Sequence, residues 1–478
     1  MVFISGNSII AERFDVVIIG AGFAGMSAAN AALAGGLRVV VLEAQGRPWI
    51  NNSRIATGVV HFCFSHPQTD ANILADRLCD ATESAAYPDL VDAISQNSRS
   101  TCSWLNSLGA EFLDVDYGKG ALPILQPQRL FQQGLDWEGR GCTRFLDRLV
   151  EKFEANGGVI VAESEAVELV RSGSKVRGVI ARCKNKDIRF EANSVIIADG
   201  GFQANRRLLK RFISPAPEKI KLRATNSGQG RGIELAEDAG AKLVLTECFY
   251  GHLQSRDAFH NDELWPYPNM DSLATAGIVV DQQGQRIADE DWGAIWLSNV
   301  IARRRDPLDC FAICDSEAWY GVATRDFVPP NPLLPRFGGT IKHAQDITSL
   351  AATVGIHSHG LLQTVNKYNK AIREGRAEQL EIPRGSKRYP PSPIEKAPFY
   401  AVPICAGITT TMGGVWVNPR GNALRLDGSC IDGLYVAGSS TGGFEGGDHA
   451  GYLGGLFKAF ASGLAAGRAV VDVGQDKK

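Results

Sequence analysis

Residues 14–19 read Phe-Asp-Val-Val-Ile-Ile, and Gly20-Ala21-Gly22-Phe23-Ala24-Gly25 follows at once. An apolar run that stops at a glycine predicts a buried parallel strand. Small residues continue to Ala34, as expected of a helix lying close against a sheet, and Gly35-Gly36 ends it. Leu37 to Leu42 (LRVVVL) is a second buried strand with Glu43 at its end. The unit is βαβ. In that setting the Gly-x-Gly-x-x-Gly pattern has a physical job. The glycines allow a tight turn and close backbone approach, the helix N-terminus faces a pyrophosphate, and the acid receives ribose hydroxyls. The pattern alone does not choose between NAD and FAD.

Outward from this unit, residues 70–155 read as mostly helical, for example Cys142 to Ala155. Val159 to Ile197 gives several short strands, with turns at Ser172-Gly173-Ser174 and around Lys184 to Lys186. The last of them, Ser194 to Ala198, runs into Asp199-Gly200-Gly201. From 247 to 404 the composition shifts toward Pro, Trp, Tyr and Arg, which predicts a cap inserted into the first domain. Leu434 to Ala437 returns to a buried strand. Leu453 to Val470 predicts a closing helix with Leu453, Leu456, Phe457, Phe460 and Leu464 on one face. The expected organisation is α/β: a Rossmann-like dinucleotide domain from 1–246 and 405–478, with a helical insertion at 70–155 and an α+β cap at 247–404.

The chain has 478 residues, 44% hydrophobic and 21% charged, with a net charge of −2. Those values predict a soluble globular protein and give no charge excess for nucleic acid or an acidic membrane. The 52 glycines cluster in short motifs, as suits a backbone that approaches a ligand in several places. Ten cysteines occur as singles, Cys310 and Cys314 being the nearest pair, so no zinc site and reduced cytosolic thiols are expected. Met1 to Arg13 lacks the pattern of a signal peptide, and no apolar run is long enough for a membrane span. The expected location is the cytoplasm.

Further segments follow in a definite order: Asn51-Asn52-Ser53-Arg54-Ile55-Ala56-Thr57-Gly58, Asp199-Gly200-Gly201-Phe202, Ala224 to Gly230, Thr411-Met412-Gly413-Gly414, Leu434 to Gly438, and Tyr452-Leu453-Gly454-Gly455. In this order and spacing the sequence resembles the flavoprotein family of fumarate reductases, succinate dehydrogenases and 3-ketosteroid dehydrogenases. The resemblance covers nearly the whole chain and is weakest at 70–135 and in the cap. It implies a glutathione-reductase-like FAD-binding domain. It places Gly20, Gly22, Phe23, Ala24 and Gly25 on the pyrophosphate and Glu43 with Ala44 on the adenosine ribose. Asn52, Ser53, Thr57 and Gly58 would line the isoalloxazine and ribityl chain, and Val167 and Ala198 would flank the adenine. Gly200 and Asn226 belong to the same cofactor set. Gly438 and Ser439 would approach the ribityl side, and Gly454, Gly455 and Leu456 the pyrimidine end. There a helix N-terminus favours negative charge on the flavin and eases hydride acceptance.

The departures from the family pattern are informative. Ser53 stands where succinate dehydrogenases carry the flavin-linking histidine, so non-covalent FAD is expected. Gln229 and Ser439 replace acids. Fumarate reductases bind a dicarboxylate with a His before Thr-Met-Gly-Gly and an Arg before Leu-Gly-Gly; this chain has Thr409-Thr410 and Tyr452. Their proton-donating Arg is absent from Asp289 to Ala294. A dicarboxylate would be desolvated here without those partners. A tyrosine at this place resembles the 3-ketosteroid dehydrogenases, which implies Tyr452 and a backbone N–H of Gly454 or Gly455 polarising a ketone. The base is expected at Tyr250 or His252, with His449 also able to reach the site. Packing is the expectation for His61 and His66. Arg54 and Arg223 are the candidate cations for a substrate carboxylate, Arg303-Arg304-Arg305 reads as a solvated face, and Trp265, Tyr267 and Trp292 could line an apolar pocket.

The leading expectation is a desaturase of a small cyclic ketone or oxo-acid, or of a ketosteroid. It would pass electrons to oxygen, a quinone or a carrier protein. Three alternatives stand beside it: a reductase of an activated C=C, an electron-transfer flavoprotein subunit, and a flavin-binding protein without chemistry of its own.

Overall fold

The computed structural model describes residues 13–116, 120–130, 134 and 136–475. The opening unit forms as the sequence requires. Strand β1 (Arg13–Ile19) leads through Gly20, at φ +99°, into helix α1 (Phe23–Ala34), and strand β2 (Val39–Leu42) follows. These strands belong to an eight-stranded sheet in the order 422–424, 430–436, 186–197, β1, β2, 159–161, with 164–172 and 175–183 folded antiparallel beside 186–197. The central pairs are parallel, and their register aligns the strand ends: Ile19 lies beside Leu42 and Ile197, and Ile197 beside Val436. Gly20, Glu43, Ala198 and Ala437 therefore leave the sheet at one edge. In open α/β sheets that carboxyl edge is where ligands bind.

A second sheet is built around the long strand Phe399–Thr411. It pairs with 249–255, 310–314, 342–344 and, in parallel, 221–222. Its pairing with 249–255 shifts between Tyr250 and Gly251: Tyr250 faces Thr410 while Gly251 faces Ile408, which leaves Thr409 as an extra residue. Such a bulge re-aims side chains locally.

Two sequence readings are corrected. Residues 112–116 and 121–125 form an antiparallel hairpin inside the stretch read as helical. Leu113-Asp-Val-Asp alternates with a period of two and Ala121-Leu-Pro-Ile-Leu is a short apolar run, both of which suit strands. The closing helix starts at Gly455, two residues later than expected. Leu453 and Gly454 are held out of it because both their N–H groups donate to the Glu445 carboxylate. The closing helix lies along α1 on small residues: a Cβ at Gly463 would stand 2.3 Å from the Ala24 carbonyl oxygen, and one at Gly467 2.6 Å from that of Ala28.

Candidate active site

The cofactor edge is built from backbone. Helix α1 begins at Gly22 with no side-chain cap and no acid in its first turn. Its first turn therefore offers N–H groups to an anion. The Ser53 hydroxyl accepts from Phe23 N–H at 2.9 Å, which brings the flavin segment 51–58 against this helix start. Glu43 is buried, and its two oxygens accept from Ala21 N–H and Gln45 N–H, each at 3.0 Å. Each oxygen keeps a lone pair for a ribose hydroxyl. Gly438, at φ +69°, comes so close to Ala24 that a Cβ would sit 2.7 Å from the Ala24 Cβ. Asn52 accepts from the backbone and hydroxyl of Thr225, and Thr410 donates to Ser439 at 3.2 Å. Gly200 N–H donates to Ser440, while Asn226 is exposed and held to Gln229. The Val167 carbonyl takes Arg231. A helix start with no cap from its own N-cap residue, a seated acid and a glycine cradle fit the pyrophosphate and ribose of FAD.

Where sequence shows acids replaced, the fold supplies Asp199. It is half-buried, accepts from Gly232 N–H at 2.7 Å and Ser440 at 3.3 Å, and its carboxyl's withdrawal from water pushes it up to about 6. The sequence marks Asp199 only as the opening of the Asp199-Gly200-Gly201 segment and gives its carboxylate no role.

Tyr250, on the second sheet, and Tyr452, before the closing helix, stack face to face with ring centroids 3.9 Å apart. The Tyr452 oxygen accepts the Gly455 N–H at 2.7 Å. The Gly455 N–H is thus engaged by the tyrosine, and the Gly454 N–H by Glu445. The reason is the buried pair beneath the turn: Glu445 bonds Lys458 at 2.8 Å, and Lys458 also donates to the carbonyls of Met412 and Thr441. Burial, with Tyr250 and Glu445 nearby, holds the Tyr452 phenol well above its ordinary range.

Behind Tyr250 runs a polar chain. Its hydroxyl meets His252 Nε2 at 3.0 Å, and His252 Nδ1 meets Asp271 at 2.5 Å. Asp271 is fixed by Leu253 N–H at 2.9 Å. A proton on Nδ1, facing the carboxylate, makes Nε2 an acceptor for the tyrosine. Burial raises Tyr250 too, and Arg223 pulls it down.

Other candidates fall elsewhere. His449 does not reach the tyrosines: it stacks on Trp292 at 3.5 Å and bonds Glu83 at 2.6 Å. Arg54 is spent on Asp147 at 2.7 Å. Arg304 is no solvated charge, since it pairs with Asp281 and Asp309. His66 bonds Gln68 N–H locally. His61, by contrast, is drawn in: its ring lies 5.5 Å from Tyr452, and burial lowers it to about 4. Trp265 donates to the Leu222 carbonyl, and Tyr267 lies under Arg223. Asp271, Arg129 and the Glu445–Lys458 pair carried no sequence signal, because only tertiary contact makes them special.

A dinucleotide cradle at a parallel-sheet edge, with a protonated tyrosine beside it, defines a class of flavoprotein. The chain belongs to the FAD binding domain family, whose model matches residues 15–451, and FAD is its cofactor. It is 28% identical to the NADH:acrylate oxidoreductase of Vibrio harveyi over 80% of this chain, but spans only 37% of that protein's length. It is 24% identical to the 4-oxocyclohexanecarboxylate 2-dehydrogenase of Sinomonas cyclohexanicum, covering 96% of this chain and 93% of that one. Its fold matches the 3-ketosteroid-delta4-(5alpha)-dehydrogenase of Rhodococcus jostii RHA1 with a TM-score of 0.72, over 98% of both chains at 21% identity. Among the described residues no helix is long and apolar enough to cross a membrane.

Proposed function

We propose that this protein is an FAD-dependent dehydrogenase that introduces a C=C bond beside the carbonyl of a small cyclic ketone. The observation that carries the reading is the stacked tyrosine pair whose two hydroxyls have opposite connections. Tyr452 receives an N–H, so its own hydrogen is free to be donated; burial keeps it protonated. Donation to a ketone oxygen stabilises the charge that develops as the α-proton leaves. Tyr250 instead faces an acceptor. Its oxygen takes the α-proton while its own proton passes to His252 Nε2, and Asp271 stabilises the imidazolium so formed. FAD, when bound along the strand-end edge, supplies the hydride acceptor for the β-carbon. Residues 247–404 act in this reading as the substrate cap, and the named activity of the Sinomonas relative supports a ring ketone. The electrons leave to oxygen, a quinone or a carrier protein.

The same groups run backwards would protonate and reduce an activated C=C, and the named activity of the Vibrio relative favours that second reading. Anaerobic flavin bleaching separates the two. A cyclic ketone should bleach the oxidised flavin band. Tyr452→Phe and Tyr250→Phe should each slow bleaching by about 10²–10⁴-fold. Bleaching by succinate alone refutes the ketone reading. Silence from every ketone, with reoxidation of the reduced protein by an enone, establishes the reductase.

A further inference from the structure

Four arginines are buried among the described residues: Arg54, Arg129, Arg223 and Arg384. Two of them have acids: Arg54 bonds Asp147, and Arg384 lies against Asp289, Glu290 and Asp291. Arg129 and Arg223 form no ion pair among the described residues, although only 6% and 8% of their surfaces are exposed. Arg129 donates from Nη1 to the Ile55 carbonyl at 2.6 Å, and its Nε and Nη2 have no partner. Arg223 reaches the Thr409 hydroxyl at 3.2 Å and the Pro266 carbonyl at 3.0 Å, and its Nε has no partner. Asp136, the one acid whose field reaches Arg129, is already forked by Arg140. A buried cation without a counter-charge is costly unless an anion arrives to pair with it.

Their placement says where that anion would lie. Ile55 belongs to the segment that lines the flavin, and Thr409 is the bulged residue beside Thr410, the partner of Tyr250. Arg223 stands over the Tyr267 ring at 5.5 Å, and its charge acts on Tyr250. The two guanidiniums lie within each other's field and both act near Tyr267; Arg223 also acts on Tyr250, while Arg129 is held by the short helix whose Ser53 meets the start of α1. We propose that Arg129 and Arg223 together bind a carboxylate of the substrate, so that the ketone taken is an oxo-acid. The placement of the ring rests on the ketone reading above; the anion site stands on the two cations. Guanidinium–carboxylate forks give both charge and orientation, and would set the ring's carbonyl toward Tyr452.

The test is binding to the flavin-loaded protein, read from the oxidised flavin spectrum. Cyclohexanecarboxylate carries the anion without the ketone, and cyclohexanone the ketone without the anion. The acid should bind at least about tenfold more tightly, and Arg223→Met and Arg129→Met should each weaken it by about 10–100-fold while sparing cyclohexanone. Arg223→Lys, which keeps charge but not the fork, should lose less. Equal affinity of the unaltered protein for the two probes overturns the proposal without need of any variant. So does a pair of Met variants that bind FAD more weakly yet, once saturated with it, keep the acid-to-ketone preference, because the missing counter-charge is then the cofactor's. The dehydrogenase reading fails separately, by absence of bleaching with ketones while the acid still binds.

Discussion

His61, buried, and Asp199, half-buried, titrate in the same pH range with opposite consequences. His61 is held at about 4, below its ordinary 6.5, so the unfolded chain takes up its proton first as pH falls. Its contribution to stability is whole above 6.5 and is lost as pH drops toward 4. Asp199 is held at about 6, above its ordinary 3.8, so the folded chain keeps a proton that the unfolded chain has released. Its contribution is whole below 3.8 and is lost as pH rises through 6. Each is on the order of 3 kcal/mol. In the unaltered protein the two slopes oppose one another. His61→Asn should leave a protein whose urea midpoint falls on going from about pH 4 to about pH 6, and Asp199→Asn one whose midpoint rises. Midpoints of both variants that track the unaltered protein would contradict this account. The Glu445–Lys458 pair gives a second residue-scale expectation. Both side chains are almost fully buried, and Glu445 also holds two backbone N–H groups. Lys458→Met strands the carboxylate and should cost about 3–5 kcal/mol, seen as a lowered Tm, whereas Lys458→Met with Glu445→Gln should recover part of it.

At the scale of elements, the packing of the closing helix on α1 has no spare room. Val in place of Gly463 would put a branched side chain against the Ala24 carbonyl, and Ala24 lies in the first turn of α1. The helices must separate, so Gly463→Val should cost about 1–3 kcal/mol and, if the first turn of α1 holds the pyrophosphate as proposed, weaken FAD binding to the apoprotein, measured by quenching of flavin fluorescence. An unchanged flavin affinity would mean that the cradle tolerates the shift. This is also the scale at which the sequence speaks most clearly. Gly20 and Gly22 declare themselves by backbone geometry at fixed spacing, Glu43 by being an acid at the end of the second strand, and buried strands such as 14–19 by continuous apolar runs. The paired strands 112–116 and 121–125 were hidden among helices, because each is only five residues long. In the active site, Tyr452, Tyr250 and His252 were legible from neighbouring motifs. Asp271, 19 residues from His252, was not, and neither was the fact that Gly455 N–H ends on a phenol. Those depend on which side chains the second sheet brings together, and no local rule encodes that.

For the whole molecule, the proposed chemistry depends on two sheets meeting. Tyr250, His252 and Asp271 travel with the second sheet, while Tyr452 and Gly455 belong to the segment that closes the first. Their stack exists only when the two are docked. One contact between the same two parts lies apart from the tyrosines. Trp292 is sandwiched between His449 at 3.5 Å and Arg388 at 4.1 Å, and His449 is tied to Glu83. An aromatic stack and a cation–π contact together are worth about 1–3 kcal/mol. Removing them in Trp292→Ala touches none of the groups assigned to proton transfer, so any loss must come through docking. If docking is nearly complete in the unaltered protein, a loss of that size makes the separated form a large share of the population. The expected outcome is a fall in kcat/KM for the substrate that bleaches the flavin, of about 5–100-fold. FAD content should stay normal, because the cradle lies wholly on the first sheet and its neighbours. The pH profile of kcat should keep its shape, because the docked fraction still uses Tyr250 and His252. A change in that profile would place Trp292 in the proton path, and unaltered turnover would show that the tyrosine stack and strand pairing hold the sheets together without the clasp.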